Sequence, residues 1–190
     1  MRLATVALPD GKLWVRVARP HHDDPYDPTL AQQHGGRWNP PGSLATLYLN
    51  ADVATARRQI VRLLEDTVVE PDDLAGDAYE LVGAYLPDSQ VAADVVTDGG
   101  VAAAGLPPTY PADADGRRVA HEICQPIGVE AYEVGLDGVH CRSAATLDGA
   151  GRELAWWPRD RRPVPAADGR RVAYRRWRNP TLIDTATLFM

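Results

Sequence analysis

Apolar and polar positions alternate from Leu13 to Val17, with Leu13, Val15 and Val17 on one side and Trp14 and Arg16 on the other. That period of two reads as a β-strand. Thr46-Leu47-Tyr48-Leu49 reads as a second, short strand after the Pro40-Pro41-Gly42 turn. The period then changes. Val53, Ala56, Ile60, Leu63 and Leu64 recur at helical spacing, so residues 53 to 66 read as an amphipathic helix with Asp52 as its N-cap. Gln59 follows Ala56 by three positions and precedes Leu63 by four, which sets it at the edge of the buried face. Further strands are expected at residues 79–86, from Gly138 toward Ser143, at residues 154–157 closed by Pro158, and at residues 172–177. Arg118 to Cys124 reads as a short helix, and Leu147 to Gly151 as a loop. The Asp-, Pro- and His-rich segment from His21 to His34 reads as a loop that delivers the chain to Gly35 and Gly36, where positive φ angles are cheap. Gly99 to Ala114, rich in Gly, Ala and Pro, reads as a surface excursion.

Short strands interrupted by helices and long loops favour an α+β fold with a central mixed or antiparallel sheet over a regular doubly wound sheet. No internal repeat and no domain boundary stands out, so residues 1–190 are read as one compact domain, long enough to bury a substantial core. A composition of 45% hydrophobic and 24% charged residues is that of an ordinary globular protein, and a net charge of −6 argues against general nucleic-acid binding. The start of the chain lacks the apolar stretch of a signal peptide, and no run of about 18 apolar residues exists, so a cytoplasmic protein with no membrane span is expected. Cys124 and Cys141 are too few and too far apart for a zinc motif or a disulfide framework, and Cys141 reads as a core or pocket-wall residue. His21-His22-Asp23-Asp24 reads as a solvated loop, since adjacent residues rarely converge on a metal without further ligands; no metal is expected.

The candidate chemistry gathers on a few polar residues. Arg37 lies inside the loop Gly35-Gly36-Arg37-Trp38-Asn39-Pro40-Pro41-Gly42, Tyr48 follows eleven residues later, and Gln59 eleven after that. A guanidinium presents a planar, permanently charged fork suited to phosphate or carboxylate. Taken alone, Arg37 also reads as a solvated turn arginine, Tyr48 as a core tyrosine and Ser143 as a strand-end serine bonded to backbone. The functional readings place Tyr48 against a ligand ring or its hydroxyl on the ligand, and Ser143 on a phosphate or ribose oxygen. Ser143 has no nucleophile elbow and no positioned histidine base, and His140, at an odd offset, faces the other side of the strand. The arginines at 170, 171, 175, 176 and 178, interleaved with Tyr174 and Trp177, read as an exposed strand with solvated charges. An interface with an acidic protein and a nucleic-acid strip are the other two readings of that run.

In order along the chain, Trp14-Val15-Arg16-Val17, the Gly35–Gly42 loop, Leu47-Tyr48-Leu49, Gly138 to Ser143 and Leu154-Ala155-Trp156-Trp157 resemble the RES domain, the toxin half of bacterial RES–Xre toxin–antitoxin pairs. The resemblance runs from about Trp14 to Trp157. It implies a fold similar to that of ADP-ribosyltransferase toxins, NAD as the substrate, and cleavage or phosphorolysis of NAD at the nicotinamide–ribose bond by a type II toxin. It further implies catalytic roles for Arg37, Tyr48, Ser143 and position 59, an NAD site including Arg16, Arg37, Trp38, Asn39, Tyr48 and Ser143, and a cognate Xre-like antitoxin as partner. Arg19 is the alternative to Arg16. The family pattern has a glutamate on the helix where this chain has Gln59. Glutamine keeps the shape but lacks the charge that would stabilise an oxocarbenium-like ribose or activate a nucleophile. Glu65, six residues on, lies about 240° around the helix and is no obvious replacement. Three expectations follow from this: an NAD-consuming toxin weakened by Gln59, a protein ADP-ribosyltransferase on the same fold, or a catalytically silent protein that binds NAD or an antitoxin.

Overall fold

The computed structural model describes residues 2–190. Nine strands form one sheet: β1 (Thr5–Ala7), β2 (Leu13–Ala18), β3 (Leu47–Asn50), β4 (Glu80–Tyr85), β5 (Val91–Val95), β6 (Gly138–Arg142), β7 (Arg152–Trp156), β8 (Val164–Pro165) and β9 (Arg171–Ala173). Among the described residues, four α-helices accompany them: α1 (Thr29–His34), α2 (Val53–Leu64), α3 (Asp98–Ala103) and α4 (His121–Glu133). The strand order is β1-β5-β6-β7-β3-β2-β4-β8, with β9 also on β4. Every pairing is antiparallel except β5 with β6. A parallel pair needs a long crossover, and α3 and α4 occupy it. The fold is thus α+β, built on a large and mostly antiparallel sheet, as the pattern of short strands and helices implies.

Both faces of the sheet are covered, and strand alternation assigns the residues to them. Leu13, Val15 and Val17 pack with Val53, Ala56 and Ile60 of α2 and with Tyr174, Trp177, Leu188 and Phe189 of the C-terminal segment. On the same face, Ala93, Val95, Val139, Cys141 and Ala155 meet Val101 of α3 and Cys124, Ile127 and Ala131 of α4. Trp14, Leu47, Leu49, Leu154 and Trp156 form a third cluster on the opposite face, capped by Leu8 and Tyr26. Asp52 caps α2 by accepting from the Thr55 amide at 2.7 Å, the role its position predicts.

Several expectations are corrected. His21 to His34 is not all loop, because Thr29–His34 forms α1, ended by Gly35 at φ +75°. Gly99 to Ala114 is no surface excursion: it contains most of α3, and Val101, Ala104, Leu106 and Tyr110 are buried. The helix expected at Arg118 to Cys124 starts at His121 and runs to Glu133, with Pro126 inside it. The last strand ends at Ala173 and gives way to a 3₁₀ turn, which buries Tyr174 and Trp177. Nor are its arginines all solvated. Arg171 pairs with Glu80 at 3.1 Å and donates to the carbonyls of His22 and Asp23 at 2.7 Å each, pinning the segment after β2 to the sheet edge. Among the described residues, no helix is long and apolar enough to cross a membrane.

Candidate functional site

β2 and β3 are paired only at Val15 and Asn50. Beyond that point β2 keeps register with β4 while β3 follows β7, so the two strands part. Arg16 spans the gap, its Nη1 donating to the Tyr48 carbonyl at 3.4 Å. A cleft of about 570 Å³ opens over this parting, within the size range of small-molecule sites. The sheet contributes Arg16, Tyr48 and Glu153, α2 contributes Gln59, Arg62 and Leu63, and α1 with the glycines after it contributes Leu30, His34, Gly35, Gly36 and Arg37. His121 and the pair Ala144–Ala145 close the remaining wall.

The loop that carries Arg37 is held at many points. Gly35 at φ +75° turns the chain out of α1, and the Gly36 amide donates to the Asn39 carbonyl at 2.8 Å. Gly36 has a different reason for being glycine: a Cβ there would lie 2.4 Å from the Tyr48 hydroxyl oxygen. Gln125 of α4 donates to the Gly36 carbonyl at 3.0 Å. Arg37 Nη1 donates to the Val119 carbonyl at 2.7 Å, which anchors one edge of the guanidinium just ahead of α4. The thiol of Cys124 lies 3.8 Å from the same nitrogen, and burial pushes that thiol up, so it stays neutral beside the arginine.

Of the two readings of Tyr48, ring against the ligand or hydroxyl on the ligand, the second does not hold. Its hydroxyl donates to Asn39 Oδ1 at 2.7 Å and accepts from the Trp38 amide at 3.0 Å, and burial pushes the phenol well above its ordinary range. Its oxygen is committed to the loop, leaving the ring to line the cleft. Asn39 is fully buried, with Nδ2 donating to the carbonyls of Ala31 at 2.7 Å and Leu44 at 3.3 Å. Trp38 is equally buried, packed with Tyr110 in the core. Neither side chain faces the cleft, so the NAD contacts expected of Trp38 and Asn39 give way to support of the loop from beneath.

Gln59 does reach the cleft, at the edge of the buried face of α2 where its spacing puts it. Its Oε1 accepts from Asn50 Nδ2 at 3.1 Å. Asn50 is in turn the cross-strand partner of Glu153. Glu153 is missing from the sequence-based candidates, because the strand expected from Leu154 starts two residues earlier, at Arg152. The signal was present: extending the alternation of Leu154 and Trp156 back by one residue puts Glu153 on the face of Ala155, a carboxylate inside a strand covered on both faces. Ser143, expected on the ligand, has no exposed surface; its hydroxyl donates to Glu153 Oε1 and accepts from the Ala145 amide at 3.1 Å.

Three arginines, two histidines and one carboxylate therefore line the cleft, a balance suited to an anionic ligand. Burial raises the Glu153 pKa, and the Ser143 hydrogen bond and the Arg37 charge act against that rise. Burial and the Arg37 charge both lower the His121 pKa, which favours the neutral imidazole. One wall is fixed by Arg118, which donates to the Ala144 carbonyl at 2.8 Å and grips both Glu65 oxygens at 2.6 and 2.8 Å. Glu65 thus secures the cleft wall from outside it. His140 faces away, edge-on to Trp14, and Arg19 stacks over Tyr79 rather than entering the cleft. Among the described residues, no group of three or more His, Cys, Asp or Glu side chains is placed to hold a metal ion.

A family model described as the RES domain matches residues 13–178. Among solved structures, the chain is similar to one in the crystal structure of the M. tuberculosis MbcT–MbcA toxin–antitoxin complex. That match has a TM-score of 0.67 and 19% identity, covering 92% of this chain and 91% of the other, and it supports the fold. A search of the curated proteins found no match.

Proposed function

The chain belongs to the RES domain family, and on that footing we propose that it is a toxin of a type II toxin–antitoxin pair that binds NAD in the cleft and breaks the nicotinamide–ribose bond. The observation that carries this reading is the arrangement of Arg37. One edge of its guanidinium is tied to the Val119 carbonyl, while the residue lines a cleft that also holds Arg16, Arg62 and the Tyr48 ring. A pyrophosphate matches the arginine charges, and a planar base or nicotinamide matches the ring. A single carboxylate beside them suits the cation that forms at the ribose as nicotinamide leaves.

A cognate Xre-like antitoxin is the proposed protein partner. Leu30 and Leu63, at 54% and 55% exposure, stand among the cleft-lining residues and offer that partner an apolar hold. The silent alternative draws on one observation, the neutral Gln59 fixed by Asn50. A protein ADP-ribosyltransferase would label protein and release no free ADP-ribose.

Incubation of the protein with NAD, read by nicotinamide release and by calorimetric titration, tests the proposal. Arg37→Ala is expected to weaken NAD binding at least tenfold, since a charge-assisted hydrogen bond contributes about 1.5–3 kcal/mol. Absence of both binding and release in the unmodified protein refutes the NAD reading. Binding without release, together with release gained on Gln59→Glu, establishes the silent alternative.

A further inference from the structure

Gln59 leaves α2 without a charge on the cleft, yet the cleft holds a carboxylate that arrives from the sheet. Among the residues lining it, Glu153 is the one Asp or Glu, sharing the cleft with Arg16, Arg37 and Arg62. We propose that Glu153 is the catalytic carboxylate of this site, standing against the cationic ribose and accepting the proton of the attacking water, with Ser143 as its positioning residue. The proposal rests on the NAD-cleaving reading above and names the residue that would perform it.

The local hydrogen bonds favour this assignment. The Ser143 hydroxyl has one proton, and with the Ala145 amide donating to its oxygen at 3.1 Å that proton is directed at Glu153 Oε1. A donor on one oxygen favours the ionised carboxylate and fixes its rotamer. Among the described residues no group donates to the second oxygen, Oε2, which leaves it to the cleft. On the other side, Asn50 joins the two candidate positions: it lies across the strand pair from Glu153, and its amide holds Gln59 Oε1. With its oxygen so engaged, Gln59 presents an N–H donor where the family's glutamate would present charge. The carboxylate of this cleft thus enters from β7 instead of α2.

The chemical step balances with water as the acceptor. The bond between ribose C1′ and the nicotinamide nitrogen breaks, and its electron pair goes to that nitrogen, neutralising the pyridinium. The water oxygen bonds to C1′, one water proton passes to Glu153 Oε2, and from there it returns to solvent. The products are nicotinamide, ADP-ribose and a proton.

Nicotinamide release, NAD affinity and thermal unfolding are to be measured for the unmodified protein, Glu153→Gln, Glu153→Asp and Ser143→Ala. Glu153→Gln keeps the shape and removes the base; kcat is expected to fall about 100-fold or more while KM stays within about threefold. Should Glu153→Gln fail to fold, Glu153→Asp, which retracts the charge by one methylene, carries the same expectation of lost kcat with NAD binding kept. Ser143→Ala is expected to move the acid limb of the pH–rate profile upward, because the donor that lowers the Glu153 pKa is gone. A merely structural serine would lower the melting temperature and leave that limb in place. Turnover by Glu153→Gln or Glu153→Asp at the unmodified rate overturns the role of Glu153 while leaving the NAD reading intact. NAD binding without nicotinamide release by the unmodified protein also overturns it, whereas no NAD binding at all overturns the parent reading.

Discussion

Gly128 sits in the middle of α4, where helix propensity alone favours alanine by about 1 kcal/mol. The structure predicts the opposite sign for Gly128→Ala. A Cβ at this position would lie 1.9 Å from the Trp38 carbonyl oxygen, 2.8 Å from its carbonyl carbon and 3.1 Å from its Cα. Ordinary contact starts near 3.4 Å, so helix and loop must separate by about 1.5 Å. The obstructing atoms are backbone and have no rotamer to escape into. The loop is also tied down, by Gln125 to Gly36 at 3.0 Å and by Arg37 to Val119 at 2.7 Å, so separation strains those bonds as well.

Overpacking of this kind costs about 1–3 kcal/mol, and one or two weakened hydrogen bonds add about 1 kcal/mol each. After the propensity gain, a net loss of about 1–4 kcal/mol is expected. For a chain of this size that corresponds to a fall in Tm of roughly 3–12 °C. Urea and thermal unfolding followed by far-UV circular dichroism measure it directly, and NAD affinity should fall in parallel because Arg37 moves with the loop. A variant that is unchanged or more stable would refute the close approach of α4 to the Trp38 backbone.

Asn39→Ala removes a side chain that satisfies the carbonyls of Ala31 and Leu44 and accepts from the Tyr48 hydroxyl. Each buried group left unpaired costs about 1–3 kcal/mol, so denaturant unfolding should register a loss of about 3 kcal/mol or more, with NAD binding weakened although Asn39 itself is outside the cleft. His140 supplies a pH prediction. Burial first, then Lys12 and Arg152, push its pKa from the ordinary 6.5 down to about 4, with Asp94 opposing and the Trp14 ring against its edge. The unfolded chain therefore takes up a proton that the folded chain refuses. Stability is unaffected by this group above about pH 6.5 and declines by roughly 3 kcal/mol as pH falls from 6.5 to 4. His140→Phe should remove that part of the decline, read as the difference in urea midpoint between pH 7 and pH 4.5 for the two proteins.

The first strand, α2 and its Asp52 cap are legible in the sequence because each obeys one local period with an appropriate boundary residue. α3 and the full length of α4 are not, and the reason is what glycine and proline do in this chain. Gly100 stands in α3 because a Cβ there would meet the Asp94 carbonyl at 2.4 Å, and Gly128 because of the Trp38 carbonyl. Both are contact glycines inside helices, and composition cannot distinguish them from the turn glycines at positions 35 and 42, which have positive φ. Pro126 adds a further break signal that the surrounding packing of Cys124, Ile127 and Ala131 overrides. Propensity is a weak prior, and tertiary burial outweighs it at these positions.

The site divides along a similar line. Its sequence motifs hold two kinds of residue, those that face the cleft and those that aim them. Arg37, Tyr48, Gln59 and Glu153 line the cleft, and each is held by an inward group: the Val119 carbonyl, Asn39, Asn50 and Ser143 respectively. A ligand-facing group contributes most when its geometry is set before binding, because no ordering remains to be done at the moment of reaction. The same rigidity requirement constrains supporting residues as strictly as contacting ones, so a motif alone does not separate Trp38, Asn39 and Ser143 from Arg37. The sheet register separates them. It places Asn50 opposite Glu153, ties Gln59 to the same pair, and makes a carboxylate 94 positions beyond Gln59 the neighbour that its own position lacks.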